Sequence, residues 1–421
     1  MRLCHNVILS VSEGSRIFNY RRDSCLAGRQ ASAAEFTLER SEGLPQNDKM
    51  VSLKDCDPVS MPKKLSNILI INPFGIGDVL FSTAVVDAIA RQIEGCNVGF
   101  LCNRRTEPLL KYNPDLKWVF VFEKDEYRQL WKTSKLECVK KFRLLLKEIK
   151  SKKFDAVIDL SLSRQFGFFT WLLGIPRRVG FNYKKRGIFL TRKLDISGYN
   201  DKHMVEYYLS LLDLLNLKPL SCRPKVYLSE SDRRWAELFL REAGINKDDL
   251  IIGVIPGGGA SWGKDAGIKH WNKAGFSEIS DELIEKRKAR IIIFGDESET
   301  GICDAVRKNM RNPIISACGK TTLSQFAALV SMCRLVIAND GGPLHLAAAM
   351  QTSTVGIFGP VSEKVYGQYP PGKNHKIIKS EIECRPCYKN FKLRNCADKR
   401  CLNEISSRQT LKAAEDALEE R

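Results

Sequence analysis

Short runs of branched apolar residues alternate with amphipathic stretches along most of this chain. The first run is Asn67–Asn72, and a helical pattern of apolar positions follows from Asp78 to about Gln92. Runs that are apolar at nearly every position are typical of strands buried on both faces of a parallel sheet. The alternation of such strands with helices predicts an α/β protein.

The same pattern predicts the remaining elements, which form two successive units. In the first unit we expect strands at 98–101, 118–122 and 156–160, a basic helix at 134–151 and a long helix at 203–215. The alternation starts again after Pro224, with strands at 250–255, 290–294, 335–338 and 354–358 and helices at 230–243, 271–287, 299–310, 322–332 and 344–350. An amphipathic stretch at 404–420 predicts a final helix.

This repetition predicts two Rossmann-like, doubly wound domains that face a cleft. We place the first domain at residues 65–225 and the second at 226–421. Residues 1–64 lack strand or helix periodicity, so we expect a loosely ordered arm there. Doubly wound sheets bind ligands at the carboxyl ends of their strands, so the loops at those ends are the candidate functional positions.

Composition and charge narrow the function. The chain has 421 residues, of which 43% are hydrophobic, enough for two folded cores. No apolar run reaches the roughly 20 residues that cross a bilayer, and no signal peptide is evident, so we expect a cytoplasmic protein. The net charge is +18, and residues 131–193 hold 17 Lys or Arg against four acidic residues. This segment favours an anionic partner, such as nucleic acid, lipid headgroups or a phosphorylated substrate, or else is a solvated Lys-rich surface.

The first candidate loop is Gly75-Ile-Gly77-Asp78, directly after the first strand. Its two glycines permit a tight turn, but Leu80 stands where a dinucleotide-binding fingerprint needs a third glycine. Asp78 is either a carboxylate that caps the following helix or a general base that deprotonates an acceptor hydroxyl. A helix N-terminus lowers the pKa of a carboxylate, which would weaken it as a base.

Two further loops lie in the second unit. One is Pro256–Gly263, which leads to Lys269, and the other runs from Asn339 to His345. Consecutive glycines at helix starts expose backbone N–H groups, and together with a lysine they suit a diphosphate. The alternatives are a flexible surface loop and, for His345, a packed core histidine. The glycine loop lacks the Gly-Lys-Ser/Thr ending of a P-loop, so ATPase chemistry is not supported. The chain also has no Asp-x-Asp between a strand and a loop, the usual site of a divalent ion in other sugar transferases. We therefore expect a nucleotide diphosphate bound without a metal.

Four cysteines near the end of the chain form a separate candidate. Their spacing, with two, eight and four residues between successive thiols, suits a structural, tetrahedral zinc site. Reduced thiols or a disulfide are the alternatives. The four are Cys384, Cys387, Cys396 and Cys401.

These motifs, taken in order, resemble glycosyltransferase family 9, the heptosyltransferases of lipopolysaccharide core assembly. The resemblance covers about residues 65–405. It is carried by Ile76-Gly-Asp-Val-Leu80, Arg178-Val-Gly-Phe181, His203-Met-Val, Pro256-Gly-Gly-Gly-Ala-Ser-Trp, Lys269-His-Trp271 and Asp340-Gly-Gly-Pro-Leu-His345-Leu-Ala-Ala-Ala. The cysteine cluster also looks like one found in many members.

The resemblance implies a GT-B fold and an inverting, metal-independent transfer, with Asp78 as the catalytic base and Lys269 on the donor diphosphate. An acidic residue after the next strand contacts the donor ribose in the family; Glu297 matches it best, although Asp296 and Glu299 compete. Gly341 replaces a frequent Thr, which predicts fewer side-chain bonds to phosphate. The implied donor-binding residues are Gly257, Gly258, Ser261, Lys269, Glu297, Asp340, Gly341, Gly342 and His345.

The implied partners are ADP-heptose and a phosphorylated, lipid-linked acceptor glycan of the lipopolysaccharide inner core. We predict acceptor contacts at Gly77, Arg164, Arg178 and Lys184. We also expect peripheral contact of the basic segment with an anionic inner membrane, bordered by aromatic residues such as Trp171 that are otherwise helix core. No cofactor is expected beyond the candidate zinc.

Three alternatives stay open. The first is the same fold with another nucleotide-sugar donor. The second is a nucleic-acid-binding protein with a zinc module, which is disfavoured because the positive charge does not lie beside the cysteines. The third is a degenerate transferase that only binds, which the presence of Asp78 and Lys269 disfavours.

Overall fold

The computed structural model describes residues 65–394, 396 and 398–420, and the predicted arm at 1–64 lies outside the described residues. The first half contains a six-stranded sheet with the order β3-β2-β1-β4-β5-β6, in which every pair of neighbours is parallel. Its strands are β1 Asn67–Ile71, β2 Asn97–Cys102, β3 Leu116–Val121, β4 Ala156–Asp159, β5 Arg177–Tyr183 and β6 Arg192–Ile196. Its helices are α1 Ile76–Ala90, α2 Glu107–Leu110, α3 Lys124–Thr133, α4 Lys135–Ser151, α5 Arg164–Leu172 and α6 Met204–Ser210, continued by a 3-10 segment at Leu211–Leu215.

Helices cover both faces of this sheet, as the apolar run of β1 requires. Helices α1 and α6 form one apolar layer with the sheet. Helices α3, α4 and α5 cover the other face through aromatic side chains that include Phe142 and Phe169, whose ring centroids lie 4.8 Å apart. The central strands are therefore buried on both sides.

The second half repeats this architecture with the parallel order β12-β11-β10-β7-β8-β9. Its strands are β7 Ile251–Ile255, β8 Arg290–Ile293, β9 Ile315–Ser316, β10 Leu335–Asn339, β11 Ser353–Phe358 and β12 His375–Lys379, followed by the small hairpin of β13 Tyr388–Lys389 and β14 Lys392–Leu393. Its helices are α7 Glu230–Glu242, α8 Lys273–Arg287, α9 Thr300–Lys308, α10 Leu323–Met332, α11 Gly342–Ala349, α12 Glu363–Tyr366, α13 Arg400–Asn403 and α14 Ser407–Glu419, with 3-10 segments at Ala260–Lys269 and Glu297–Glu299.

Both sheets follow one doubly wound path, which confirms the predicted fold class. Strand order reverses between β1 and β4 in the first sheet and between β7 and β10 in the second. Ligands of such sheets bind at these reversal points. The loops after β1, β7 and β10 are the three loops predicted from the sequence, so the fold places all of them at reversal points.

The two halves pack directly against each other. Leu80 of α1 and Leu109 of α2 join the apolar cluster formed by α10 and α11 of the second half. The β13–β14 hairpin reaches back to the first half, where the Phe391 ring lies 5.1 Å from Tyr183 and 5.0 Å from Tyr199 between centroids. Elements of the first half and the β13–β14 hairpin near the C-terminus therefore enclose the space between the two sheets.

Some predicted elements differ in detail. The helix predicted at 203–215 becomes a 3-10 segment at Leu211, and this segment stops where Asn216 adopts a left-handed conformation, with φ 61°. The helix predicted from residue 271 begins at Lys273, capped by the side chain of Asn272. Within the described residues, no helix combines the length and the apolar character needed to cross a membrane.

Candidate active site

A cavity of about 1020 Å³ lies between the two halves, at the reversal points of both sheets. From the first half it is lined by the loop before α1, including Gly77 and Asp78. From the second half it is lined by Lys269 and by the start of α11. The structure therefore brings together most of the predicted catalytic and phosphate-binding residues; those lining the cavity are Gly77, Asp78, Lys269, Asp340, Gly341, Gly342 and His345.

The Asp78 carboxylate lies in the first turn of α1 and lines the cavity. Burial among protein atoms raises its pKa from 3.8 to about 6. Backbone N–H groups at the helix start, the positive charge of Lys269 and the Tyr208 hydroxyl act in the opposite direction. The sequence left open whether the helix N-terminus weakens this base. In the structure burial outweighs the helix, which leaves a carboxylate suited to accept a proton near neutral pH.

A group of buried tyrosines surrounds Asp78. Tyr208 hydrogen-bonds to the carboxylate, and burial together with the negative charge of Asp78 raises the pKa of Tyr199, Tyr208 and Tyr366 well above 10. These phenols are therefore neutral, and each can donate a hydrogen bond. Tyr388, from the hairpin, lines the same cavity. Sequence reasoning missed all four because they come from four separate segments and no spacing links them.

Lys269, Asp340 and His345 form one charged cluster on the second half. The Lys269 ammonium lies 2.5 Å from one carboxylate oxygen of Asp340, and His345 Nε2 lies 3.6 Å from the other. Asp340 is buried, which alone would raise its pKa, but Lys269 and His345 more than offset this and hold the pKa below its usual range. The Asp340 carboxylate thus stays ionised and fixes a lysine and a histidine at the cavity wall.

Close packing explains the glycines at the start of α11. A Cβ atom at Gly341 would lie 2.1 Å from the carbonyl oxygen of Gly258, and one at Gly342 would lie 2.8 Å from Cβ of Ile76. The first glycine lets the two phosphate-side loops touch, and the second lets the starts of α1 and α11 approach across the cavity. This backbone has no room for a side chain such as threonine at position 341.

The Gly257–Gly259 loop differs from the expectation of free N–H donors. The Glu299 carboxylate accepts the N–H groups of Gly258 and Gly259 at 3.0 and 2.9 Å. Its other oxygen accepts the N–H of Asp296 at 3.1 Å. The N–H groups of Gly258 and Gly259 are therefore already occupied.

The helix start expected at the second unit's first glycine loop is a 3-10 segment and not an α-helix. Residues Ala260–Lys269 form 3-10 turns interrupted at Gly263, where φ is 53°, because a left-handed residue cannot continue a helix. The Ser261 side chain lies outside the part of the chain that the structure describes. Of the two predicted helix starts, only that of α11 begins an α-helix.

The remaining predicted residues lie away from the cavity lining. Glu297 is exposed at the carboxyl end of β8 and remains the predicted ribose contact, whereas Glu299 is committed to the glycine loop. Arg164 and Lys184 are exposed and do not line the cavity. The Arg178 guanidinium donates to the carbonyls of Phe189 and Ile175, both at 2.6 Å, so it braces its own loop and does not point into the cavity.

A different set of basic residues lines the first-half side of the cavity. They lie beside Ser161, Ser163 and the Phe166 ring. Sequence reasoning missed them because they carry no motif, although Lys124 and Arg128 lie just before the basic segment 131–193 and Arg186 lies within it. They are Arg104, Arg105, Lys124, Arg128 and Arg186.

The four clustered cysteines are free thiols that flank the hairpin. Cys384 and Cys396 are exposed, and Cys401 is buried, which raises its pKa to about 11. Among the described residues, no group of three or more His, Cys, Asp or Glu side chains is placed to hold a metal. The structural zinc site at these four cysteines therefore stays a prediction.

Comparison with known proteins finds similar chains. Residues 142–397 match the sequence model of glycosyltransferase family 9 (heptosyltransferase). Lipooligosaccharide heptosyltransferase 2 of Haemophilus influenzae is 25% identical over 329 residues, which are 74% of this chain and 87% of that protein.

Solved structures share the fold. The family 9 glycosyl transferase of Veillonella parvula aligns with a TM-score of 0.72 and 22% identity, over 85% of this chain and 98% of that one. The ADP-heptose LPS heptosyltransferase II of E. coli aligns with a TM-score of 0.64 and 20% identity, over 84% and 98% of the two chains. The two-sheet architecture is thus that of GT-B heptosyltransferases.

Proposed function

The chain belongs to glycosyltransferase family 9, and we propose that it transfers a heptose from ADP-heptose to an inner-core acceptor of lipopolysaccharide, with inversion and without a metal. One observation carries this proposal. The Asp78 carboxylate and the Lys269–Asp340–His345 cluster face the same cavity from opposite halves. A base on one side and an anion-binding wall on the other are what a single displacement at a sugar carbon requires.

The second half supplies the donor side. The start of α11 and the Lys269 ammonium offer positive potential to a diphosphate. An ammonium has three donor hydrogens, so Lys269 can keep its bond to Asp340 and still donate to a phosphate oxygen. The similar E. coli structure is that of an ADP-heptose LPS heptosyltransferase, which supports ADP-heptose as the donor. Exposed Glu297 lies at the carboxyl end of β8, where we place the ribose hydroxyls.

The reaction is a single displacement. The acceptor hydroxyl oxygen attacks the anomeric carbon of the donor and its proton passes to the Asp78 carboxylate. The bond from that carbon to the diphosphate oxygen breaks, and ADP leaves with the electron pair. Negative charge that develops on the leaving oxygen is stabilised by Lys269 and the α11 start. Attack from the Asp78 side, opposite the diphosphate, inverts the configuration of the sugar.

The first half supplies the acceptor side. Arg104, Arg105, Arg128 and Arg186 line the cavity beyond Asp78. Guanidinium groups bind carboxylates and phosphates in a bidentate manner. This lining fits an acceptor glycan that carries acidic sugars or phosphates. It replaces the predicted contacts at Arg164, Arg178 and Lys184, which do not line the cavity.

The test is transfer of heptose from ADP-heptose to a deep-core acceptor, with EDTA present, by the wild type and two variants. Asp78→Asn removes the base and should lower kcat/KM by about 10²- to 10⁴-fold. Asp159→Asn is the matched control, because burial likewise raises the Asp159 pKa to about 6 but its side chain does not line the cavity. This control should stay within a few-fold of the wild type.

The outcomes separate the parts of the proposal. Binding of ADP should be unchanged in Asp78→Asn, because Asp78 lies across the cavity from the Lys269–Asp340–His345 cluster that we assign to the diphosphate. Wild-type activity only with another nucleotide sugar would reject ADP-heptose and leave the mechanism standing. Activity that EDTA abolishes and Mg²⁺ restores would reject the metal-independent step. Equal activity of Asp78→Asn and the wild type would reject the base.

A further inference from the structure

The β13–β14 hairpin brings two aromatic side chains to the cavity. Tyr388 and Phe391 line it together with Asp78, although they come from the C-terminal part of the chain. The hairpin lies inside the segment of the four cysteines, residues 384–401. The displacement at the sugar carbon assigns no step to either ring, so their place beside the base calls for another role.

The base of the hairpin is fixed to the second half. The Arg385 side chain, just before the hairpin, is only 6% exposed. Its guanidinium donates to the carbonyls of Gly359 and Val361 at 2.6 and 3.1 Å. The backbone N–H of Tyr388 donates to the carbonyl of Pro360 at 3.0 Å. The hairpin therefore starts from a rigid attachment at the end of β11.

The tip of the hairpin is seated on the first half. The Asn390 side chain accepts a hydrogen bond from Asn200 Nδ2 at 2.9 Å. A Cβ atom at Gly198 would lie 2.6 Å from Cα of Asn390, so a glycine is needed for the tip to come this close. With its base on one half and its tip on the other, the hairpin spans the cavity.

The backbone of the tip is held by these contacts. Asn390 and Phe391 both adopt left-handed conformations, at φ 53° and 58°. Asparagine tolerates this region, but a bulky aromatic residue does so only where the surrounding structure holds it there. The Phe391 ring stands edge-on to both Tyr183 and Tyr199, with interplanar angles of 90° and 89°. Packing on the first half thus fixes the Phe391 side chain at the cavity.

Tyr388 joins the buried tyrosines around the base. Burial and the negative charge of Asp78 raise the pKa of Tyr388, so this phenol is neutral, and its hydroxyl hydrogen-bonds to Tyr366. The rings of Tyr366 and Tyr388 lie 5.9 Å apart between centroids. Phe391 continues the aromatic lining towards Tyr199. The hairpin thus presents ring surface, without charge, to the space around the Asp78 carboxylate.

Water is a competing acceptor in a transfer of this kind. A water oxygen could attack the anomeric carbon and pass its proton to Asp78, and ADP would leave with the electron pair of the broken bond. The donor would then be lost as free sugar. Enzymes suppress such side reactions by excluding water from the site. Aromatic rings suit this role, because they exclude water and also pack against the C–H face of a sugar.

We propose that Tyr388 and Phe391 determine the choice of acceptor over water, as an aromatic cover that the hairpin holds across the cavity beside Asp78. The cover keeps water from the base, and an acceptor sugar packs against the rings in its place. The span of the hairpin between the halves rests on its contacts alone. The choice between acceptor and water rests on the proposed function.

The test compares two rates, release of ADP from ADP-heptose without acceptor and transfer of heptose with acceptor. Tyr388→Ala/Phe391→Ala should raise the ratio of ADP release to transfer at least about tenfold, because water gains access to the base. Tyr388→Phe keeps the ring and should stay within a few-fold of the wild type. Lys392→Gln, at an exposed position of the same hairpin, is the matched control and should not change the ratio. The two single alanine variants are measured as well, and thermal unfolding shows which variants are folded.

Hydrogen exchange tests the span of the hairpin without any donor. The double alanine variant should exchange the amides of residues 197–200 and 388–393 at least about tenfold faster than the wild type, because the seat of the tip is lost. The amides of β1, in the centre of the first sheet, should exchange alike in the two proteins. Unchanged exchange at both the tip and residues 197–200 would overturn the span.

Three results would overturn the choice of acceptor over water. They are a wild-type ratio in the folded alanine variants, an equal rise in Lys392→Gln, and a rise in Tyr388→Phe as large as that in Tyr388→Ala. Failure of the proposed function looks different. A wild type that uses another nucleotide sugar gives the same two rates with that donor. A wild type that transfers no sugar at all rejects the proposed function and with it the choice of acceptor, while hydrogen exchange still decides the span.

Discussion

At the scale of single residues, opposing effects set the protonation of the Asp78 carboxylate. Burial raises its pKa to about 6, while the α1 start, Lys269 and the Tyr208 hydroxyl lower it. The tyrosine is the one of these that a substitution can remove without changing the backbone or the net charge. Substitution of Tyr208 therefore tests how the pKa of Asp78 is set.

The pH dependence of kcat/KM should reveal this arrangement. Because the base acts only when deprotonated, activity should fall as the pH drops below about 6. Tyr208→Phe removes a hydrogen bond that lowers the Asp78 pKa, so the acid limb should move to higher pH. The measurement is a pH–rate profile of both proteins with the same substrates, which cancels titration of the donor diphosphate. Tyr227→Phe, on the connection between the halves, is the control and should leave the limb in place. An acid limb that Tyr208→Phe leaves unmoved would remove Asp78 from the base role.

The sequence predicted the residues of the site that stand in the loops and first helical turns after buried strands. Asp78, Lys269, Asp340 and His345 follow recognisable strand ends, and the reversal points bring those ends together. The tyrosines around Asp78 were not predictable in this way. A buried tyrosine in a helix has the same periodicity whether it packs in a core or faces a carboxylate.

At the scale of elements, the glycine loop is shaped by a partner 40 residues away. Glu299 binds the N–H groups of Gly258 and Gly259, and a Cβ at Gly257 would lie 2.0 Å from its carboxylate. The sequence predicted where the loop lies but not that these N–H groups are occupied. A carboxylate that binds a distant loop leaves no local signal in the sequence.

Glu299 should therefore act as a positioning residue for the donor side. Glu299→Ala leaves buried N–H groups unpaired, which should cost about 1–3 kcal/mol of stability. Glu299→Ala should also weaken ADP binding by about tenfold with a smaller change in kcat, because the loop touches Gly341 at the start of α11, where we place the donor diphosphate. Glu299→Gln keeps a carbonyl oxygen for the two glycine N–H groups and should recover most of both losses. Thermal unfolding and calorimetric ADP titration measure these effects.

The control for this prediction is Glu278→Gln, an exposed position on α8. It should change neither stability nor ADP affinity. If Glu299→Ala loses stability while ADP affinity stays at the wild-type value, the glycine loop is structural only and plays no part in donor binding.

At the scale of the whole molecule, periodicity predicted the central strands and missed several peripheral ones. Strands β6 and β12 consist of exposed and half-buried positions and carry Arg, Lys or His, so they lack the continuous apolar run that marks β1 or β10. The packing of the two halves could not be predicted from the sequence either, because it depends on single contacts such as that of Gly342 with Ile76.

The connection between the halves is fastened to α1, the helix that carries Asp78. Lys225 donates its backbone N–H to the Thr83 hydroxyl at 2.9 Å, and its ammonium lies 2.5 Å from the Asp87 carboxylate, which Arg91 also contacts at 2.9 Å. Asp87 is buried, which opposes its ionisation, but Lys225 outweighs this and the pKa is lowered from 3.8. The pair is thus a stabilising contact between the connection and the first half.

Asp87→Asn should destabilise the protein by about 2 kcal/mol at pH 7, because it removes charged hydrogen bonds and leaves Lys225 without its partner. An acid with a lowered folded-state pKa stabilises the fold above its unfolded value of 3.8, and this is lost as the pH falls through the folded value. The difference in Tm between the variant and the wild type should therefore be full at pH 7 and shrink below about pH 4. Asp213→Asn, at an exposed aspartate, should leave Tm unchanged at both pH values. A variant as stable as the wild type at pH 7 would show that the connection is held by its apolar contacts alone, and the position of α1 would then not depend on this ion pair.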